Sequence, residues 1–300
     1  MDRFLEQLKT DIPTVHCLPN VSLSELTSFR IGGHCRAVIY VSSAEGYCET
    51  VERLNQNGIP FKLLGNGTNI LAPDEGFEGI ILKLKAPADA VTVNAETVTS
   101  NAAVSMPLLA SYALHNGLMG MEALSGIPGS VGGACAMNAG AYGTEISDII
   151  RSATVVRNGI IEKISLNKAD FAYRKSPLAA PNTVVFSAEF VLSADDGHAA
   201  ERTADFQNRR TAKQPLSLPS AGSVFKRPQG YYAGALIEQC GLKGARVGGA
   251  CVSEKHAGFI VNDAHATARD VLELIAYVRS TVYERTGVTL EREIKLLSEV

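Results

Sequence analysis

The sequence contains no tryptophan and no run of about 18 apolar residues, the length that a membrane-spanning helix requires. The formal net charge is -3, so no global positive field attracts nucleic acid. Residues 1–10 lack the long apolar stretch of a secretory signal. These absences predict a cytoplasmic protein without a nucleic-acid or membrane partner.

Paired metal-ligand spacings are also missing. The six cysteines form no Cys-x-x-Cys, and their closest members are Cys240 and Cys251. The six histidines show neither His-x-x-His nor His-Glu-x-x-His. We therefore expect reduced, buried thiols and no metal site.

The composition is that of a globular protein, with 46% hydrophobic and 20% charged residues in 300. That length suggests two domains. Helix and strand patterns are mixed without regular alternation, which predicts an α+β fold. An Asn158-Gly159 pair between two apolar runs predicts a hairpin turn, and alternation after Gly287 predicts a final strand. A capping box at Ser42–Glu45 predicts the start of a helix that continues to about residue 57. Further helices are predicted at 106–116, 199–213, 232–240 and 268–286.

Glycine is unusually frequent, with 27 residues, and two clusters stand out. The first, Leu64–Leu71, follows an apolar strand and reads LGNGTNIL. Its Gly-x-Gly lets successive backbone N–H groups approach a phosphate oxygen without Cβ obstruction. The third glycine of the dinucleotide fingerprint is absent, so a plain loop is the alternative.

The second cluster has six glycines between residues 126 and 143, and no charged residue from 123 to 143. Such a segment is entropically costly to order, and close backbone approach to a flat or diphosphate-bearing ligand would compensate. A tightly packed crossing of helix and strand is the alternative. A Gly-x-x-x-x-Gly-Lys-Ser/Thr motif is missing, which disfavours a P-loop ATPase.

A basic segment extends from Phe206 to Pro228. It holds five cations and no acid, in a chain whose total charge is -3. Converging basic side chains suit a diphosphate, whereas a charged helix face followed by a loop is the alternative.

The second glycine cluster and seven other ordered motifs resemble the UDP-N-acetylenolpyruvoylglucosamine reductase family, also called UDP-N-acetylmuramate dehydrogenases. The resemblance covers roughly residues 20 to 298 and is strongest in the second glycine cluster. The other matching segments are 27–33, 64–71, 173–176, 221–226 with 241–244, 253–262 and 290–294.

The resemblance implies a cytoplasmic enzyme of bacterial peptidoglycan synthesis, linked to cell wall biogenesis, cell shape and cell division. It holds FAD without a covalent bond and uses NADPH to reduce UDP-N-acetylglucosamine enolpyruvate to UDP-N-acetylmuramate. The implied fold has two flavin-binding α+β subdomains, like those of vanillyl-alcohol oxidase, plus an α+β substrate domain. We assign these to 1–85, 86–205 and 206–287, with a final strand at 288–300, in a monomer.

Hydride addition beside a carboxylate requires a cation, an acidic stabiliser and a proton donor. By resemblance these are Arg174, Glu293 and Ser223. Each has a plainer interpretation: a solvated arginine, a solvent-facing strand residue and a Gly-Ser turn. Periodicity alone does not nominate Glu293.

The resemblance also implies two sets of binding residues. Tyr173, Lys213 and Arg227 would contact the nucleotide sugar, and Lys213 or Lys226 would assist Ser223. The residues implied for FAD are Leu64, Gly65, Asn66, Gly67, Thr68, Asn69, Gly126, Ile127, Pro128, Gly129, Ser130, Gly132, Gly133, Asn138, Gly140 and Arg210.

Two features depart from the commoner family pattern. Asn66 and Thr68 replace a Gly and a Ser, and Arg227 stands where many members have Asn. The chain resembles the short subclass without the tyrosine-bearing loop that closes over substrate. Three alternatives stay open: another flavin enzyme, a noncatalytic nucleotide-sugar sensor, and a serine hydrolase, although Gly-x-Ser-x-Gly is absent.

Overall fold

A computed structural model describes residues 1–300, which pack into two compact units. The first unit comprises Met1–Cys17, Ile39–Asn66 and Leu82–Arg210. The second comprises Leu18–Val38, Gly67–Ile81 and Thr211–Val300. The four-part division given above is a different partition of the chain and stays a prediction.

Eight α-helices are present, with 3₁₀ turns between some elements. They are α1 Asp2–Asp11, α2 Leu23–Leu26, α3 Ala44–Gln56, α4 Met106–His115, α5 Val131–Met137, α6 Ala199–Lys213, α7 Ala233–Gln239 and α8 Ala268–Thr286.

Nineteen strands accompany the helices. They are β1 Val15–Ser22, β2 His34–Val41, β3 Phe61–Leu63, β4 Ile70–Leu71, β5 Phe77–Leu84, β6 Val91–Asn94, β7 Thr97–Asn101, β8 Leu118–Met119, β9 Gly140–Ala141, β10 Thr144–Glu145, β11 Ile150–Arg157, β12 Ile160–Ser165, β13 Thr183–Val191, β14 Ser193–Ala194, β15 Ser220–Ser223, β16 Arg246–Val247, β17 Ala250–Val252, β18 Phe259–Asn262 and β19 Lys295–Leu296.

The first unit is built on a five-stranded antiparallel sheet in the order β12-β11-β13-β7-β6. Its core includes Val98, Leu109, Val131 and Phe190, all of them fully buried. Helix α5 packs on this core and carries Gly132 and Gly133 of the second glycine cluster. A further four-stranded sheet has the order β1-β2-β5-β3.

The second unit has a four-stranded sheet in the order β15-β18-β17-β16. Phe29, Leu71, Ile237 and Val271 belong to its core, and each is at most 1% exposed. The short strands β4 and β19 pair in parallel in this unit.

Most helix and strand predictions are confirmed. Helix α8 begins at a Thr267–Asp270 capping box and ends at Gly287, whose φ of 70° suits a glycine cap. The hairpin of β11 and β12 turns at Asn158 and Gly159, which both have positive φ. The α+β class is confirmed with them.

Two local predictions are wrong. Helix α3 is capped by Ser43, whose side chain accepts from the N–H of Gly46, and not by Ser42. The final segment is not a continuous strand after Gly287. Lys295 and Leu296 form the short strand β19 before a 3₁₀ turn, and Arg292 adds one isolated bridge. Its alternation does bury Leu290 and Ile294, because these side chains enter the second unit's core.

No helix in the structure combines the length and apolar character that crossing a membrane requires. No group of three or more His, Cys, Asp or Glu side chains is arranged to hold a metal ion.

Candidate active site

Two glycine segments meet in the first unit. The Asn66 side-chain amide donates to the Pro128 carbonyl over 3.1 Å. A Cβ placed on Gly65 would lie 2.6 Å from Ser130 Oγ, closer than side-chain atoms approach each other. A side chain at position 65 would therefore displace the Ser130 hydroxyl, so glycine favours this close approach of the two segments.

Ser130 also begins helix α5, because its side chain accepts from the N–H of Gly133 over 3.2 Å. The N–H of Gly132 donates to the Ala102 carbonyl over 2.9 Å. Both glycine N–H groups thus have acceptors inside the protein, and Gly132 serves close packing against Ala102. Gly65 and Asn66 differ, since they are exposed and no backbone hydrogen bond uses their N–H groups.

Two cations in this unit have no acidic partner. Arg210, in the last turn of α6, lies against Gly126, where an added Cβ would be 2.8 Å from Arg210 Cδ. Burial lowers the pKa of the Arg210 guanidinium, and Tyr142 partly offsets that effect. Lys83 on β5 donates from Nζ to the Gly65 carbonyl, and burial lowers its pKa to about 8. Desolvated cations without carboxylate partners favour an anionic ligand, so the residues fit the diphosphate of FAD.

Asn138 is fully buried, and both polar atoms of its side chain are hydrogen-bonded within the protein. Its Nδ2 donates to Glu145 and to the Ala172 carbonyl over 2.8 and 3.0 Å, and its Oδ1 accepts from the N–H of Ser147 over 3.0 Å. The side chain therefore supports the loop that follows Ala172, and its contact with FAD stays a prediction.

That loop is a tight turn carrying two of the predicted residues. Ala172 and Lys175 exchange backbone hydrogen bonds of 3.1 and 2.8 Å. Tyr173 and Arg174 occupy the tip, with Arg174 at φ 56°. The guanidinium lies 5.0 Å from the Tyr173 ring centre and donates to the Gly140 carbonyl at 3.5 Å. The turn holds a half-buried cation next to the second glycine cluster.

The second unit brings Ser223 and Glu293 together. Ser223 ends β15 and is exposed, whereas the next residue, Val224, is fully buried. The Glu293 N–H donates to the Val224 carbonyl over 2.7 Å, and Phe225 pairs with Arg292. Asn69 fixes the same segment, because its side chain donates to the Glu293 carbonyl over 3.3 Å. Glu293 is half-buried, unlike its exposed neighbour Glu291.

The cations of the basic segment 206–228 contact different groups. Lys226 forms an ion pair with Glu291, so its ammonium is already neutralised. Arg227 stacks its guanidinium 4.0 Å from the Tyr232 ring centre. Lys213 is exposed at the end of α6, near which Lys255 Nζ donates to the Thr211 carbonyl over 2.6 Å. Which of Lys213 and Lys226 assists Ser223 stays a prediction.

Comparison with known proteins decides the family. A model of the carboxy-terminal domain of UDP-N-acetylenolpyruvoylglucosamine reductase matches residues 214–297, and an FAD-binding domain model matches 35–164. A Listeria monocytogenes UDP-N-acetylenolpyruvoylglucosamine reductase is 42% identical over 297 residues, covering 98% of this chain and 99% of its own. The chain belongs to the UDP-N-acetylenolpyruvoylglucosamine reductase family.

Other members agree with this placement. The reductase of Alkaliphilus oremlandii is 40% identical over 290 residues, which cover 96% of this chain and 95% of the relative. The crystal structure of the Thermus caldophilus reductase superposes with a TM-score of 0.79 at 33% identity, over 94% of this chain and 98% of that one. The predicted family, the flavin-binding α+β fold and the class of FAD-dependent oxidoreductase are thus confirmed, with a role in peptidoglycan precursor synthesis.

Two contacts next to the predicted FAD-binding residues were not predicted from the sequence. Lys83 belongs to no motif, and it is the penultimate residue of an ordinary apolar strand. Arg202 on α6 donates to Glu122 over 2.8 Å, and Glu122 in turn accepts from the N–H of Gly120. This pair anchors the helix that carries Arg210 to the segment that leads into Gly126. The sequence offers only an indirect signal for this pair: Glu122 precedes the uncharged stretch 123–143, and a helix with several basic residues, α6, follows later in the chain.

The 253–262 motif of the reductase family has a structural role here. Ser253 Oγ accepts from the N–H groups of Lys255 and His256 over 3.2 and 3.3 Å. Burial lowers the pKa of His256, whose ring packs edge-on against Phe259. The Asn262 side chain donates to the Phe29 carbonyl over 3.2 Å. These contacts explain the motif without assigning it to the chemistry.

Proposed function

We propose that the chain catalyses the NADPH-dependent reduction of UDP-N-acetylglucosamine enolpyruvate to UDP-N-acetylmuramate, with non-covalent FAD, as a cytoplasmic monomer. The Listeria monocytogenes and Alkaliphilus oremlandii relatives are reductases of UDP-N-acetylenolpyruvoylglucosamine by name. The observation that carries the proposal is the hydrogen bond between Glu293 and Val224. It places the acid and Ser223 on paired segments although 70 positions separate them in the sequence.

The residues that would hold FAD are those of the two glycine segments. Gly65 and Asn66 offer exposed N–H groups, and Arg210 offers a desolvated cation next to Gly126. Gly67, Thr68 and Asn69 continue the first segment, and Ile127 to Ser130 the second. When bound, FAD supplies a carrier that accepts a hydride from NADPH and donates it to the substrate.

The catalytic side chains have distinct tasks. Addition of hydride next to the substrate carboxylate places negative charge on that group and on the adjacent carbon. The Arg174 guanidinium stabilises this charge, and the Glu293 carboxyl provides a hydrogen bond at the same group. The Ser223 hydroxyl then donates its proton to the carbanion-like carbon, a strong base that even a weak acid can protonate.

The nucleotide sugar requires further contacts. Lys213 and Arg227 would neutralise its diphosphate, and Tyr173 would line its site. Arg227 keeps its position through the Tyr232 ring, on which the guanidinium lies. An arginine here replaces the asparagine of many family members, so the contact that we propose is ionic.

Loss of NADPH absorbance, measured with FAD present and with or without the enolpyruvyl nucleotide sugar, tests the function. Substrate-dependent oxidation would support the proposal. Equal oxidation in both cuvettes, with oxygen as acceptor, would keep the flavin site but refute the substrate. Glu293→Ala should lower turnover by roughly 100- to 1000-fold, as the loss of an oxyanion donor does. Glu291→Ala, two residues away and exposed, is the matched control.

A further inference from the structure

Lys83 is a half-buried cation whose contacts the proposed chemistry does not explain. It lies near the end of β5, and its Nζ donates to the main-chain carbonyl of Gly65. No carboxylate forms an ion pair with it. Lysine is rarely withdrawn from water without an acid, because desolvation of its charge costs free energy.

The bond to Gly65 fixes the orientation of one peptide group. The peptide between Gly65 and Asn66 is planar and trans, so its C=O and its N–H point in opposite directions. With the carbonyl held by Lys83, the Asn66 N–H points away from that lysine. The Asn66 side chain is held separately by the Pro128 carbonyl. The N–H is therefore oriented in the loop, and no backbone acceptor uses it.

The positive charge near Gly65 also indicates an anionic ligand. Arg210 is also desolvated and unpaired in the same unit, against Gly126. The segments that Lys83 and Arg210 contact are joined to each other through Gly65 and Ser130. The two cations therefore lie beside neighbouring glycine segments, and residues 123–143 contain no acid. Their positive charge is not neutralised within the protein, and a diphosphate would neutralise it.

We propose that Lys83 is a positioning residue of the FAD diphosphate site: its ammonium holds the Gly65 carbonyl, turns the Asn66 N–H outward for the anion, and supplies positive charge to the loop. This inference rests on the proposed function, since it assumes that the two glycine segments bind FAD.

A pH dependence follows, because the pKa of Lys83 is lowered to about 8 by burial alone. The charged or titratable groups on the adjacent strands are Lys62 on β3 and His34, Cys35, Arg36 and Tyr40 on β2. Glu78 lies on β5 itself and Lys85 just beyond it, and none of these groups contributes to the shift. An anion raises the pKa of a lysine. Above pH 8, FAD binding must therefore be accompanied by uptake of one proton, and affinity falls by up to about tenfold per pH unit.

The test is the dissociation constant of FAD for the apoprotein, measured by flavin fluorescence from about pH 6.5 to 9.5. We expect the wild-type constant to be flat below pH 8 and to rise above it. Lys83→Met should weaken binding at neutral pH by about 10- to 100-fold, as loss of a charged hydrogen bond does, and should remove the rise. Lys83→Arg should bind within a few-fold of wild type and show no rise, because arginine stays charged.

Lys85→Met is the matched control, since Lys85 is exposed and directly follows the same strand. It should keep the wild-type constants and their rise. Wild-type affinity and pH profile in Lys83→Met, or a wild-type rise in Lys83→Arg, would overturn this inference alone. If Lys83→Met fails to fold by circular dichroism, the profiles of wild type and Lys83→Arg decide. An apoprotein that binds no FAD at any pH would instead overturn the proposed function.

Discussion

The contact between Gly65 and Ser130 allows a quantitative test of how the two glycine segments pack. An alanine Cβ at position 65 would lie 2.6 Å from Ser130 Oγ but 3.7 Å from Ser130 Cβ. The clash therefore involves the hydroxyl alone, since 3.7 Å is an ordinary contact. Gly65 has no left-handed φ, so Gly65→Ala adds no backbone strain.

The magnitude follows from what Ser130 would lose. To avoid the new methyl group its hydroxyl must rotate, and the N-cap hydrogen bond to Gly133 is broken. Loss of such a cap costs about 1 kcal/mol. Gly65→Ala and Ser130→Ala should thus each reduce the free energy of unfolding by about 1 kcal/mol. The double variant should also lose about 1 kcal/mol, because its second change removes nothing further.

Urea denaturation followed by far-UV circular dichroism measures this double-mutant cycle. The expected coupling of about 1 kcal/mol exceeds the scatter of about 0.3–0.5 kcal/mol found for independent sites. If the two losses simply add, the methyl group does not displace the hydroxyl. The close approach of the two segments would then be refuted.

Three further predictions concern the second unit. Ser223→Ala should slow the reoxidation of reduced flavin by the enolpyruvyl substrate about 100- to 10,000-fold in stopped flow. Reduction of the flavin by NADPH should stay near normal, and equal slowing of both steps would exclude the proton-donor role. Asp74 accepts from the N–H groups of Ala268 and Arg269 at the start of α8, so Asp74→Ala should cost about 1 kcal/mol in urea denaturation, and an unchanged midpoint would contradict the cap. The pKa of His256 is lowered in the folded protein, so below pH 6.5 the unfolded chain binds a proton more readily than the folded chain does. The free energy of unfolding should therefore decrease as the pH is lowered. His256→Gln should reduce this slope in urea midpoints measured against pH, and a wild-type slope in the variant would contradict the assignment.

Local signals were sufficient where one segment determines its own structure. Helix α8 carries both its capping box and its terminal glycine in the sequence, and Asn158-Gly159 determines its own turn. The segment after Gly287 failed because alternation reports which side chains are buried and not whether a partner strand exists. Leu290 and Ile294 are buried as the pattern indicates, although most of that segment makes no strand.

Site residues were harder to predict because their roles depend on contacts distant in sequence. Asn138 lies in a cluster that resembles a flavin-binding segment, and its pattern gives no sign of the three structural partners that its amide has in Glu145, Ala172 and Ser147. Lys83 and Lys85 look equivalent in the sequence ILKLK. They differ only in the folded protein, where the Gly65 carbonyl lies next to Lys83 and accepts its hydrogen bond.

The interleaved composition of the second unit restricts how relatives can exchange parts. Its core joins Phe29 and Leu71, from the early part of the chain, to Ile237, Val271 and Leu290. A single genetic crossover near residue 210 would therefore combine core side chains from two parents in one interior. Recombination that keeps this interior intact must transfer 18–38 and 67–81 together with 211–300.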